Sequence, residues 1–206
     1  MIKNILFDFG RTLVEHPEDG AGRRIIEESG IKNEQDIIRV QKIIFNVEKY
    51  LNRLDENSLE REEYKKLLKF ELEERFHQAI PLIADYNINK LPLLKDTLYM
   101  LKKLKQDGYR LFITSNLDLL HASQMENHEI AKYFDGMVFS SQIGVRKPFR
   151  EFFETALEKF GVNAEECIFI DDLKENVDGG ERCGIKGFVF NDNAQEAIDF
   201  IYGTKG

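Results

Sequence analysis

The chain is expected to fold as an α/β protein: a Rossmann-like parallel sheet core with an inserted all-helical cap domain. Three observations predict this. Short apolar runs recur at Ile2–Phe9, Leu111–Thr114, Met137–Phe139, Ile168–Ile170 and Gly187–Phe190, each of a length and composition that suits a strand covered on both faces. Amphipathic helical stripes separate the later runs, which is the alternation of βαβ units and parallel pairing. Between the first run and the second lies a long stretch with helical patterns and no convincing strand.

The elements follow in order. The first run ends in Asp8 and Gly10, and the chain then enters the helical stretch. There Ile37, Val40, Ile44, Val47, Leu51 and Leu54 trace one apolar stripe. Asp55-Glu56-Asn57 makes a natural break, and Asn57 with Glu60 resembles a capping box. A second stripe runs through Leu59, Tyr64, Leu67, Leu68 and Leu72, and Pro81 and Pro92 punctuate the exit. Leu93, Thr97, Met100, Leu101 and Leu104 then recur at helix spacing before Gly108, as Phe152, Phe153, Ala156, Leu157 and Phe160 do before Gly161. The expected division is a core of residues 1–15 and 92–206 with a helical cap of residues 16–91.

Composition narrows the functional classes. The 206 residues are 42% hydrophobic and 32% charged, as in an ordinary globular domain. A net charge of −8 argues against a nucleic-acid groove and leaves room for a local anion pocket. No apolar run approaches the roughly 20 residues of a membrane span, and the first residues enter a strand pattern without a signal-peptide layout. A cytoplasmic protein is expected, with Cys167 and Cys183 as small apolar residues in a reducing compartment.

In open α/β sheets, ligands bind beyond the carboxyl ends of the strands. Asp8, Ser115 and the pair Asp171-Asp172 fall at such ends, and Lys147 follows the loop after the Met137–Phe139 run. Together these side chains read as a phosphoryl-transfer set. Asp8 is the candidate nucleophile, forming an aspartyl-phosphate intermediate. Asp171 and Asp172, the latter by preference, form with Asp8 a candidate seat for magnesium, a hard cation that takes oxygen ligands. Ser115 and the backbone N–H of Asn116 are candidate phosphate donors, and Lys147 would stabilise the charged transition state. Each residue also has a plainer role open to it. Ser115 could cap the helix through Leu119 and Leu120, and one of the acidic pair could cap the helix that follows.

The motifs Asp8-Phe9-Gly10-Arg11-Thr12, Ser115, Lys147-Pro148 and Asp171-Asp172 with Asn176 occur in the chain order of the haloacid dehalogenase-like hydrolase superfamily, which the whole chain resembles. Segments around Ser115–His121 and Val145–Pro148 look most like the C1-capped branch that holds α-D-glucose-1-phosphate phosphatase and the amino-terminal phosphatase domain of soluble epoxide hydrolase. The resemblance implies magnesium-dependent hydrolysis of a small phosphomonoester, a sugar phosphate above all. It implies a metal ligand in the backbone carbonyl of Gly10, and a small phosphorylated metabolite as partner. Arg11 is a candidate phosphate-binding residue. Arg11, Arg23, Arg24, His121 and Arg146 are candidates for reading the rest of the substrate by charge and placement.

Gly10 departs from the pattern, since the family's phosphatases carry there an aspartate that protonates the leaving group and later activates water. Such general acid–base catalysis is typically worth about 10²–10⁴-fold. A less basic leaving group, or a proton from His16 or a substrate hydroxyl, would compensate. Otherwise the chain is a slow or non-catalytic phospho-ligand binder. Two lesser alternatives are phosphonate cleavage, which needs a Schiff-base lysine in the cap, and 2-haloacid dehalogenation, which Asp171-Asp172 disfavour.

Overall fold

The computed structural model describes residues 1–16 and 20–204. Five parallel strands form one sheet: β1 (Asn4–Phe7), β2 (Arg110–Ser115), β3 (Gly136–Phe139), β4 (Cys167–Asp171) and β5 (Lys186–Val189), in the order β3-β2-β1-β4-β5. The three central strands are almost wholly buried, whereas the edge strands β3 and β5 are partly exposed. That explains why β1 and β4 read as unbroken apolar runs: both faces are covered.

Alternate residues serve opposite faces, as the two-residue strand period demands. Ile5, Phe7, Leu111, Ile113, Ile168 and Ile170 enter one core with α6 (Thr97–Gln106) and α11 (Ala194–Gly203). Leu6, Phe112, Val138 and Phe169 face the other way, against Phe152 and Phe153 of α9 (Arg150–Phe160). Three short or peripheral helices complete this part: α7 (Leu119–Gln124), α8 (Ser140–Ile143) and α10 (Lys174–Glu181).

Between β1 and β2 the chain is helical: α1 (Gly20–Glu28), α2 (Glu34–Ile44), α3 (Asn52–Asp55), α4 (Arg61–Glu71) and α5 (Ile80–Ala84). Their apolar stripes meet in a separate cluster that includes Ile26, Ile37, Val40, Ile44, Leu54, Tyr64 and Leu68.

Several local expectations need correction. The stripe from Ile37 to Leu54 is not one helix. It breaks after Ile44, and a π-helical turn at Val47–Leu51 leads into α3, because the apolar spacing carries on across Phe45-Asn46 while the backbone bends. Asn57 and Glu60 form no capping box. Asn57 adopts a left-handed turn (φ 55°), and Glu60, at the N-cap of α4, makes no side-chain cap bond. Leu93 lies outside α6 and pairs with Val14 in an isolated bridge. Asp118, not Ser115, caps α7, accepting the N–H groups of Leu120 and His121. Neither acidic residue caps α10, whose N-cap is Leu173. Cys167 is buried as expected, while Cys183 is half-buried.

One close approach matters for the site. A Cβ on Gly179 of α10 would lie 2.7 Å from the Pro148 carbonyl oxygen and 2.9 Å from a ring carbon of Phe153. The helix therefore lies directly on the segment that carries Lys147. Gly179→Ala is expected to destabilise the fold by about 1–3 kcal/mol, the usual cost of overpacking. A lowered melting temperature in calorimetry checks this, and an unchanged one would show that the segment yields without cost.

Candidate active site

Parallel pairing brings the chemistry together. Phe7 stands level with Ile113 of β2 and Ile170 of β4. One residue further on, Asp8 lies between the ends of both neighbours, and its N–H donates to the Ile170 carbonyl at 2.8 Å. Strands in a sheet are about 4.8 Å apart, so polar residues that end three adjacent strands must meet. Beyond Asp8 the chain turns back tightly. Arg11 takes a left-handed conformation (φ 54°), and Leu13 N–H donates to the Phe9 carbonyl at 2.9 Å.

Lys147 is the centre of the cluster. It is 1% exposed, and its ammonium donates to Asp8 Oδ1 at 2.7 Å, Asp171 Oδ2 at 2.6 Å and the Thr114 carbonyl at 2.9 Å. All three donors are thus used. Burial alone would lower its pKa, but the carboxylates of Asp171 and Asp8 outweigh that and hold it above the ordinary lysine value. The loop is pinned at the backbone as well. Asn116 Oδ1 accepts the Lys147 N–H at 2.9 Å, and Asn116 Nδ2 donates to the Lys147 carbonyl at 3.2 Å.

Ser115 Oγ also donates to Asp8 Oδ1, at 2.8 Å. In this structure its hydroxyl therefore orients the candidate nucleophile. Both donors grip Oδ1, and among the described residues no hydrogen bond reaches Oδ2.

The acidic pair divides. Asp171 is fully buried; it accepts from Lys147, from the Leu173 N–H (2.8 Å) and from Asn176 Nδ2 (3.1 Å to each oxygen). Asp172 makes no such bonds among the described residues and faces the cavity. Burial first, and then the negative charges of Asp8 and Asp171, push its pKa up to about 7. Ligand atoms of Asp8, Asp171 and Asp172 all lie within 4.8 Å of one another. Three carboxylates against one ammonium leave excess negative charge, and every donor is a hard oxygen. That set fits magnesium. Asp8 and Asp172 would hold it, with the Gly10 carbonyl on the same cavity wall.

The cavity above Asp8 has a volume of about 350 Å³ and includes Gly10, Arg11, His16, Ser115, Asn116 and Lys147 in its lining. The Arg146 side chain borders it too and pairs with Glu56 of the insertion at 2.8 Å. Arg23 and Arg24 do not line it. Arg23 pairs with Glu27 and Glu34, and Arg24 with Glu15. His121 is buried beside Asp118, its Nδ1 2.5 Å from Asp118 Oδ2. Against the upward push of burial, His121 and the Arg61 guanidinium hold Asp118 well below the usual carboxylate range.

Two features were missed in the sequence. Asp55, Asn52 and Glu48 of the insertion wall the same cavity, and no sequence signal marks which helical face turns inward. The second is steric. A Cβ on Gly10 would lie 2.7 Å from His16 Cδ2, so the imidazole occupies the space a side chain at position 10 would need.

Known proteins of similar sequence include a D-ribitol-5-phosphate phosphatase of Bacteroides thetaiotaomicron, 26% identical over 91% of each chain. Another is a glyceraldehyde 3-phosphate phosphatase of Methanothermobacter thermautotrophicus, 26% identical over 94% of this chain and 76% of the relative. The sesquiterpene phosphatase astK of Aspergillus oryzae is 34% identical, but the match spans about half of each chain (48% and 52%). Among solved structures, a haloacid dehalogenase-family enzyme of Bacteroides thetaiotaomicron, in complex with magnesium and inorganic phosphate, superposes with a TM-score of 0.69 at 20% identity, covering 94% of this chain and 96% of that one. At such identity the likeness establishes the fold. A family profile described as haloacid dehalogenase-like hydrolase matches residues 5–190. That range takes in the sheet from the second residue of β1 to the end of β5, together with the helical insertion, and the chain belongs to that family.

Proposed function

We propose that this chain is a magnesium-dependent phosphatase acting on a small phosphomonoester, with a sugar or polyol as leaving group. The observation that carries the reading is the convergence of Asp8, Ser115, Lys147 and Asp172 on one cavity, with Asp8 oriented by two donors on a single oxygen. Relatives matched over most of this chain include phosphatases of ribitol 5-phosphate, glyceraldehyde 3-phosphate and phosphoglycolate; all three act on small phosphorylated metabolites, and the first two support a sugar or polyol leaving group.

In the proposed reaction a carboxylate oxygen of Asp8 attacks phosphorus, and the bond from phosphorus to the leaving-group oxygen breaks with its electron pair going to that oxygen. Lys147 and Ser115 fix the carboxylate for attack, and Lys147 offsets charge on the phosphoryl oxygens. Bound magnesium would supply further charge neutralisation of the phosphate. Water then attacks the aspartyl-phosphate, releasing inorganic phosphate and regenerating Asp8.

The leaving oxygen needs a proton that Gly10 cannot give. His16 stands in the space beside it, and we assign it to donate that proton and to take one from the attacking water. A slow or non-catalytic phospho-ligand binder is the second reading, favoured by Gly10 itself. It predicts phosphate-ester binding in calorimetry without release of inorganic phosphate in a single turnover.

Asp8→Asn is expected to abolish phosphate release from ribitol 5-phosphate, and EDTA to do the same reversibly on re-addition of magnesium. An active Asp8→Asn protein removes the proposed nucleophile. His16→Ala should cost about 10²–10⁴-fold in kcat on alkyl phosphates, yet far less on p-nitrophenyl phosphate, whose leaving group needs no proton. Equal losses on both substrates would show that His16 has only a structural part. In the double variant Gly10→Asp/His16→Ala no imidazole blocks the new Cβ, and part of the alkyl-phosphate activity should return.

A further inference from the structure

The cavity does not end at its polar floor. Behind it lies a second chamber of about 70 Å³ whose walls share Leu51, Asp55, Tyr86 and Leu117 with the first. A volume of that size holds about two water molecules, or a hydroxymethyl group, and is too small for a second phosphate with its hydration.

Two polar groups on its walls lack partners among the described residues. His121, 5% exposed, uses Nδ1 for Asp118, while its buried Nε2 has no hydrogen-bond partner. Its ring packs against Tyr86 of the insertion, with centroids 4.3 Å apart and the planes tilted by 38°. The Asp55 carboxylate, half-buried, makes no hydrogen bond among the described residues and is balanced only at a distance by Arg146 and Arg61. A buried nitrogen left without a partner, as His121 Nε2 is, costs stability unless something pairs with it. One comes from the sheet side of the molecule and the other from the helical insertion, and they border the same small space.

The complementary ligand follows from donor chemistry. A hydroxyl both donates and accepts, so it can hydrogen-bond Asp55 whether that carboxyl is ionised or protonated, and can pair with His121 Nε2. A carboxylate or phosphate only accepts, and is repelled by Asp55 once that carboxyl is ionised. The insertion contributes Glu48, Asn52 and Asp55 to the main cavity, with His16 at its edge; Arg61 lines the small chamber, but its guanidinium is held by Asp118 and the Ala84 carbonyl. The Arg146 guanidinium nearby is already paired with Glu56.

We propose that this chamber is the specificity subsite for the end of the substrate remote from phosphorus, and that Asp55 and His121 hold there a hydroxyl of an uncharged polyol or sugar chain. The proposal rests on the phosphatase reading above and adds to it the class of leaving group: neutral and hydroxylated, in preference to carboxylate-bearing. Burial, followed by the charge of Asp118, raises the Asp55 pKa to about 8, so the carboxylate form that repels an anionic end is dominant above that pH, where the comparison below is made.

The test compares kcat/KM for ribitol 5-phosphate and for 2-phosphoglycolate, with magnesium, in the full chain. The wild-type protein is expected to prefer ribitol 5-phosphate by about 100-fold or more; sites built to hydrogen-bond a substrate hydroxyl reach about 10⁴–10⁵-fold. Asp55→Asn and His121→Phe should each cut that ratio about tenfold, chiefly through KM for ribitol 5-phosphate. His121→Phe keeps the ring against Tyr86 and stands as the second variant should Asp55→Asn fail to fold. A wild-type preference for 2-phosphoglycolate, or a ratio unmoved by both substitutions, overturns the assignment while leaving the phosphatase reading intact. Absence of turnover on every ester, p-nitrophenyl phosphate included, would instead remove the phosphatase reading and this inference with it.

Discussion

The buried ammonium of Lys147 is the constraint on which the site depends. Moving such an ion out of water costs several kcal/mol even after relaxation, and here two carboxylates and a carbonyl compensate it. The three partners come from the ends of three neighbouring strands. A loop that could otherwise take many positions is thereby fixed relative to β1, β2 and β4 at once. The Asn116 side chain grips the same residue through its backbone, and α10 packs on Pro148 with no room for a methyl group at Gly179. The position of the charge is thus set by electrostatics from within and by packing from behind.

The same cluster explains the division of labour between Asp171 and Asp172. Asp171 is consumed by Lys147, Asn176 and the Leu173 N–H, so its charge serves to hold the ammonium and the start of α10. Asp172 lacks those bonds and is crowded by two other carboxylates. It is the group with most to gain from a cation. Between the sheet and the insertion, two ion pairs differ in burial. The Arg61–Asp118 pair is largely enclosed, with side chains 19% and 10% exposed, whereas Arg146–Glu56 is more open at 22% and 34%. Partly exposed pairs contribute at most about 1 kcal/mol. The pair beside α7 is therefore less screened by solvent than the pair at the Arg146 edge of the cavity.

Much of this was legible in the sequence, for a simple reason. A parallel strand covered on both faces must be apolar throughout, so the polar residue that ends it stands out, and Asp8, Ser115, Asp171 and Asp172 each do so. Lys147 was legible only through its place after the third run and beside Pro148. The bonding pattern was not. Nothing in the order of residues says that Ser115 donates to Asp8, that Asp118 rather than Ser115 caps α7, or that Asp171 and Asp172 part company. The break after Ile44 was hidden because the apolar spacing continues across it. Asp55 and His121 were the least legible, since their roles arise only when a face of the insertion meets α7, and that meeting is decided by tertiary packing.

The relation between Gly10 and His16 has a mechanical consequence under the proposed reaction. In a site with an aspartate at position 10, the acid would belong to the turn after β1 and would stay in place whatever the insertion did. Here the glycine vacates that space, and the imidazole that fills it sits where the chain leaves the core for the insertion. The neighbouring Glu15 pairs with Arg24 of α1, so His16 stands next to a contact between the turn after β1 and the insertion. If His16 is the proton donor, proton transfer uses a group beside that contact, whereas Asp8, Ser115 and Lys147 are held by the ends of β1 and β2 and by the loop after β3. Under the proposed reaction the nucleophile is fixed by the sheet, whereas the proton donor stands at the edge of the helical insertion.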